Sequence, residues 1–275
     1  MGYLEALLLG LVQGLTEFLP ISSSAHLRLV GEFLPSGEDP GAAFTAVTQL
    51  GTETAVLLYF RHDIWRIATT WLRSLARPEL RTDPDARMGW FVLLGTLPIA
   101  LLGFVFQDTI ETSLRALTLI GVTLVVFGIV LGLADRFAAN HKPLSELTLR
   151  DALLFGAAQA LALVPGVSRS GGTISGGLLL GYQRAAAARY SFLLAIPAVL
   201  ASGVLELFDI GEESAPAWGP TLLATVVAFV VGYAVIAWFL RYISSPEHSF
   251  LPFVIYRVVL GLVVIVLAQT GVVSG

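Results

Sequence analysis

Glu17, His26 and three consecutive serines fall within one short stretch, Gly10 to His26, which reads GLVQGLTEFLPISSSAH. Gln13 and Glu17 are four residues apart, on one face of a helix. Pro20 disfavours helical geometry at the residue before it and predicts the end of that helix near residue 19. Ser22, Ser23 and Ser24 then open the next helix, where hydroxyls cap free N–H groups and where anions, phosphate above all, are drawn. His26 follows one turn after Ser22. A carboxylate, an imidazole and hydroxyls around an anion-binding helix end describe a hydrolytic or phosphoryl-transfer site, although simple capping would also explain the serines. A second stretch repeats the pattern: Gly156 to Thr173 reads GAAQALALVPGVSRSGGT. Gly166, Gly171 and Gly172 let backbone approach a ligand, while Ser168, Ser170 and Thr173 supply hydroxyls. Arg169 supplies a planar fork suited to phosphate. The loop resembles a phosphate nest and is not a Walker A loop, since no Gly-Lys-Ser/Thr follows. The competing reading is an arginine that snorkels to an interface beside helix-packing glycines.

The elements that must carry these motifs belong to a membrane. The chain has 275 residues, 56% of them hydrophobic and 13% charged, with mean hydropathy +0.80. Soluble domains carry about 25% charged residues, so this is an all-α polytopic membrane protein, read as a single membrane domain over 1–275. A net charge of −4 argues against nucleic acid as a partner, and the absence of cysteine excludes disulfides and thiol chemistry. No basic residue precedes the first apolar run, so the N-terminus is expected to belong to the mature fold rather than to a signal peptide. Six segments are long and apolar enough to span: about 42–60, 89–106, 116–134, 190–208, 221–240 and 251–270. Arginines crowd the loop 61–88, and Arg136, Lys142, Arg150 and Arg241 mark further basic loops. The loops 107–115, with Asp108, Glu111 and one Arg115, and 209–220, with Asp209, Glu212 and Glu213, are acidic. Basic loops stay cytoplasmic, so the first span runs inward and the rest alternate.

Two interrupted apolar segments remain, about 1–40 and 152–189. A single crossing by either would break the charge alternation, whereas a re-entrant helical hairpin, or an ordinary pair of crossings, keeps it. Hairpins are the reading adopted, since non-helical backbone at membrane depth requires a protein-lined or wet surrounding. The fold is then an inverted-topology repeat, each half a re-entrant hairpin plus three transmembrane helices, over about 1–135 and 150–275. Opposite insertion brings the two hairpin tips together in mid-membrane, where ionisable groups imply function. Their combined chemistry suits a lipid diphosphate.

EFLPISSSAH (Glu17 to His26), PGVSRSGGT (Pro165 to Thr173) and VTQLG (Val47 to Gly51) together resemble the undecaprenyl-diphosphate phosphatase family of the bacitracin-resistance type. TQLGTE (Thr48 to Glu53) and AIPA (Ala195 to Ala198) look most like its actinobacterial branch. The resemblance covers essentially the whole chain. It implies an enzyme of the bacterial plasma membrane that converts undecaprenyl diphosphate to undecaprenyl phosphate and inorganic phosphate, recycling the carrier of cell-wall precursors. It also implies an active site facing the outer side and a divalent cation, Mg²⁺ or Ca²⁺. Carried over by position, Glu17 is the metal ligand or proton-transfer group, and Ser23, His26 and Arg169 join it as catalytic residues. Gln13 stands where many members have a first Glu. Gln13, Ser22, Ser168, Ser170, Gly171 and Thr173 match substrate-binding positions. Whether His26, Ser23 or water attacks stays open, as does whether Glu53 acts as a second acid or pairs with a buried arginine. Arg257 is expected to snorkel, Trp65, Trp71 and Trp90 to anchor at interfaces, and Gly121, Gly128 and Gly132 to pack within the chain or across a homodimer. The competing class is a lipid-phosphate or anion transporter, which needs the binding groups but no chemical base; a non-catalytic lipid-binding subunit accounts least well for two mirrored polar motifs.

Overall fold

The computed structural model describes residues 1–35, 41–106, 116–209 and 217–273; the predicted acidic loop 107–115, and Glu212 and Glu213, lie outside them. Among the described residues the secondary structure is helical, with one isolated bridge between Lys142 and Tyr182. Eleven α-helices are seen among these residues: α1 (Tyr3–Thr16), α2 (Ser23–Glu32), α3 (Ala42–Tyr59), α4 (Arg61–Ala76), α5 (Pro84–Val105), α6 (Leu117–Phe137), α7 (Leu149–Ala160), α8 (Arg169–Leu179), α9 (Arg184–Asp209), α10 (Trp218–Ser244) and α11 (Leu251–Gln269).

Local chemistry fixes some of the ends. The Asp83 carboxylate accepts from the Asp85 amide at 2.8 Å and Pro84 opens α5, both strong N-terminal signals. Thr148 caps α7 by accepting from the Asp151 amide at 3.1 Å. α1 stops at Thr16, with Glu17 still in helical geometry as its C-cap, slightly earlier than Pro20 alone suggests.

Among the described residues five helices are long and apolar enough to cross a membrane: α5, α6, the Arg184–Gly203 part of α9, α10 and α11. They match five of the six predicted spans. The sixth, α3, forms as a helix but is not among these five, and it carries Gln49 and Glu53 on its length. The arginine-rich stretch after it, treated above as a loop, begins with α4, an amphipathic helix whose Trp65, Leu72 and Leu75 are exposed. Large apolar side chains are also exposed along the spans, Phe104 at 83% and Leu101 at 64% among them, as a lipid surrounding permits. The four helices that carry the polar motifs are short, at 14, 10, 12 and 11 residues. At 1.5 Å per residue none exceeds about 21 Å, well under the ~30 Å of a hydrocarbon core.

Packing follows a recurring pattern. α1 lies on α10 and α7 lies on α5; α3 also meets α10, and α9 also meets α5. α1 contacts α2 as α7 contacts α8, while α3 packs on α9 and α6 on α11. Glycines allow the close approaches. A Cβ on Gly10 would stand 2.5 Å from the Ala224 carbonyl oxygen, and one on Gly156 only 2.0 Å from that of Gly95. Gly121 faces Gly261 and Ile265, and Gly128 and Gly132 face the Val254–Val258 stretch, so these three serve the α6–α11 contact inside the chain. The largest apolar cluster holds Phe18, Phe60, Phe192, Phe239, Phe250 and Phe253, with Phe18 and Phe192 edge-to-face at 5.5 Å.

Candidate active site

Two turns with the same unusual backbone start the helices of the motifs. Ser22 precedes α2 at φ 72°, and Ser168 precedes α8 at the same φ. A non-glycine residue there is strained by roughly 1–3 kcal/mol, which the surrounding contacts must offset. The hydroxyls differ in use. Ser168 Oγ caps α8, accepting from the Gly171 amide at 3.1 Å, and lies 3.1 Å from Ser170 Oγ. Ser22 Oγ makes no capping bond, contrary to the sequence expectation, and lies 3.2 Å from Ser24 Oγ.

The turns face each other through Glu17. Arg169 Nη2 donates to Glu17 Oε1, joining motifs that lie 152 residues apart. Glu17 Oε2 accepts from Ser23 Oγ at 2.6 Å and from Gln13 Nε2 at 2.9 Å. Ser170 Oγ donates to the Leu19 carbonyl at 3.0 Å, a second link between the motifs. Beside this pair lies a small, partly open cavity, walled by Glu17, Glu53, Arg169, Ser170 and Ser191 on its polar side. Phe18, Val56, Phe192 and Ala195 form its apolar side.

His26 does not line that cavity. Its Nδ1 lies 2.7 Å from the Ser22 carbonyl oxygen, which can only accept, so Nδ1 carries the proton. Nε2 is then the acceptor, and Tyr256 Oη donates to it at 2.6 Å. Thr173 is also turned from the cavity, with its hydroxyl against Ser191 Oγ and 2.7 Å from the Arg169 carbonyl. Gly171 is a matter of space: a Cβ there would stand 2.5 Å from Arg257 Nη1.

Arg257 is the main residue misread from sequence. It does not snorkel; it is 0% exposed in α11 and spans both motifs. Nη1 donates to the Pro20 carbonyl at 3.0 Å, and Nη2 to those of Gly166 at 2.8 Å and Val167 at 3.0 Å. The signal was present, since a charge inside an apolar run implies a role. Tyr256 and Ser191 were missed too, and no spacing pattern marks them. Among the described residues no group of three or more His, Asp or Glu could hold a metal. The two carboxylates at the cavity are nonetheless hard oxygen donors of the kind Mg²⁺ and Ca²⁺ take, and Glu53 Oε1 is buried without a hydrogen-bond partner.

Residues 6–263 match the model of a family described as bacitracin resistance protein BacA. The chain is 63% identical to undecaprenyl-diphosphatase 2 of Frankia casuarinae, over 100% of this chain and 97% of that one. It is 60% identical to the undecaprenyl-diphosphatase of Nocardioides sp., over 99% and 98% of the two chains. It is 61% identical to undecaprenyl-diphosphatase 2 of Agrobacterium fabrum, over 100% and 98%.

Proposed function

The chain belongs to the BacA bacitracin-resistance family, and from that premise we infer that it is a membrane-embedded undecaprenyl-diphosphatase, releasing inorganic phosphate and undecaprenyl phosphate. The observation that carries this at the site is the Arg169–Glu17 pair, which closes two distant motifs around one polar cavity. An incoming diphosphate competes for Arg169, whose fork can grip phosphate oxygens two at a time. Glu17, relieved of that partner, remains the acceptor of the Ser23 proton. A hydroxyl held at 2.6 Å by a carboxylate is an activated nucleophile, so Ser23 Oγ is assigned the attack on the terminal phosphorus. The bond from that phosphorus to the bridging oxygen breaks, undecaprenyl phosphate leaves, and water then hydrolyses the phosphoserine. His26 steadies the strained turn through the Ser22 carbonyl. Ser168, Ser170 and the α8 amides shape the receiving loop, and Ser22, Gly171 and Thr173 support it by spacing rather than by facing the cavity. A bound divalent cation, Mg²⁺ or Ca²⁺, would be held by Glu17 and supply charge neutralisation for the diphosphate.

The architecture we propose around this chemistry is one membrane domain of two inverted repeats, α1–α6 and α7–α11, with α1–α2 and α7–α8 as re-entrant hairpins. The short hairpin helices and the exchangeable packing partners support it, as does the match of Gly10 with Gly156 at equivalent contacts. With the arginines of α4 cytoplasmic, the site is assigned access from the outer side of the cell membrane.

The test is phosphate release from undecaprenyl diphosphate by detergent-purified protein, with and without EDTA, for wild type and Ser23→Ala. Wild type is expected to release phosphate and to lose this with EDTA, and Ser23→Ala to fall by about 10³-fold or more. Wild-type rates in Ser23→Ala would remove the serine from the chemistry. An inert but folded wild type would move a transporter to the front.

A further inference from the structure

One acid at the cavity has no part in the chemistry above. Glu53 sits on α3, 1% exposed, and lines the cavity with Glu17, Arg169, Ser170 and Ser191. Among the described residues its Oε1 has no hydrogen-bond partner. Glu17 differs: both its oxygens accept from protein donors, Arg169 on one side and Ser23 with Gln13 on the other. A buried carboxylate oxygen left without a donor is costly, and such groups are rare enough in folded proteins that each needs a reason. Charge adds to the problem. With both carboxylates ionised, two against one guanidinium would leave the cavity walls with an excess negative charge, and the substrate would bring more. An arriving diphosphate cannot satisfy Glu53, because anion faces anion. A cation satisfies both at once.

We propose that Glu53 is the second carboxylate of the divalent-cation site, holding the ion together with Glu17 on the wall of this cavity. The proposal deepens the phosphatase reading and rests on it for the substrate, but the cation site itself stands on the cavity and the unpartnered oxygen. Mg²⁺ is usually held by one or two carboxylates plus phosphate oxygens, and Glu17 and Glu53 supply that number from two elements, α1 and α3. The arrangement also answers for Gln13. A neutral amide there keeps Glu17 in place at 2.9 Å, and the second negative charge comes from across the fold instead of from one turn earlier.

The experiment is a Mn²⁺ titration of the detergent-purified full chain, followed by electron paramagnetic resonance, for wild type, Glu53→Gln and Glu53→Asp. Gel filtration and a thermal melt check folding, and phosphate release is measured on the same preparations. Glu53→Gln is nearly isosteric and is expected to weaken Mn²⁺ binding by about tenfold or more, with Glu53→Asp between it and wild type. Mn²⁺ affinity unchanged in Glu53→Gln overturns the proposal; with wild-type phosphate release intact, that result leaves the phosphatase standing and makes Glu53 a neutral packed acid. Should Glu53→Gln fail to fold, Glu53→Asp decides in its place: a several-fold loss of Mn²⁺ affinity supports the proposal and an unchanged affinity overturns it. Mn²⁺ binding that depends on Glu53 in a wild type that releases no phosphate keeps the cation site and sinks the phosphatase.

Discussion

At the scale of single residues, the site turns on how fully its polar groups are held by their partners. Glu17 accepts hydrogen bonds from Gln13, Ser23 and Arg169, and the bonds from Gln13 and Ser23 hold its carboxylate in place when Arg169 turns to the substrate. Preorganised groups of this kind carry much of a phosphoryl transfer, because nothing need reorient as charge moves. His26 is bound at both ring nitrogens, by the Ser22 carbonyl and by Tyr256. Holding the Ser22 turn requires only its Nδ1 proton, so an asparagine, with an N–H donor near that position, should replace much of its function. His26→Asn is expected to retain about tenfold more phosphate release than His26→Ala, an order typical of one positioning hydrogen bond. Equal losses in both variants would place Nε2 in the reaction. The meeting of Glu17, Ser23 and Arg169 was legible in the sequence, because residue type and motif spacing set the two turns against each other. The direction of Thr173 toward Ser191, and of His26 toward Tyr256, depends on partners from α9 and α11 that no local pattern names.

At the scale of elements, hydropathy located the five long spans within a few residues, since a lipid surrounding imposes length and composition together. It did worse where an element is amphipathic or polar. α4 was hidden among its arginines, and α3 gives up apolar character at Glu53, which lines the cavity beside Val56. The glycines of the repeated Gly-x-x-Gln were legible as a repeat but not as contacts. In the structure they let α1 and α7 press against α10 and α5. Small residues permit such approach between membrane helices, where dispersion contacts replace the hydrophobic drive. Gly156→Ala places a Cβ 2.0 Å from the Gly95 carbonyl oxygen, which is backbone and cannot swing aside. The variant is expected to lose about 1–3 kcal/mol and several degrees in a detergent melt. Gly103→Ala, whose nearest neighbour would lie at 3.6 Å, is the matched control and should melt as wild type. Equal melting of the two would mean that α7 and α5 shift apart without cost.

At the scale of the whole molecule, the two motif turns must be held so that Ser23 and Arg169 stay in register about Glu17. Ion pairs from α9 contribute at one end: Arg184 meets Asp135 on α6 and Arg189 meets Asp63 on α4, both at 2.5 Å. These are partly exposed, and such pairs are worth little individually. Arg257 is of another kind. It is a buried cation whose partners are carbonyls, not a carboxylate, and those carbonyls belong to both motif turns. The turns end helices early and leave backbone oxygens without helical partners in the buried interior. One planar fork from α11 reaches Pro20 in the first motif and Gly166 and Val167 in the second, and glycine at 171 gives it room. Lysine keeps the charge but has no fork, so it can serve one turn at most. Arg257→Lys should therefore lower stability by about 2–5 kcal/mol, from carbonyls left buried and unpaired. It should also lower phosphate release more than the melting shift explains, because the turns lose their common register. Measured below the variant's melting range, a release rate equal to wild type would reduce Arg257 to a packing residue and leave the register to the Arg169–Glu17 pair and the Ser170–Leu19 bond alone.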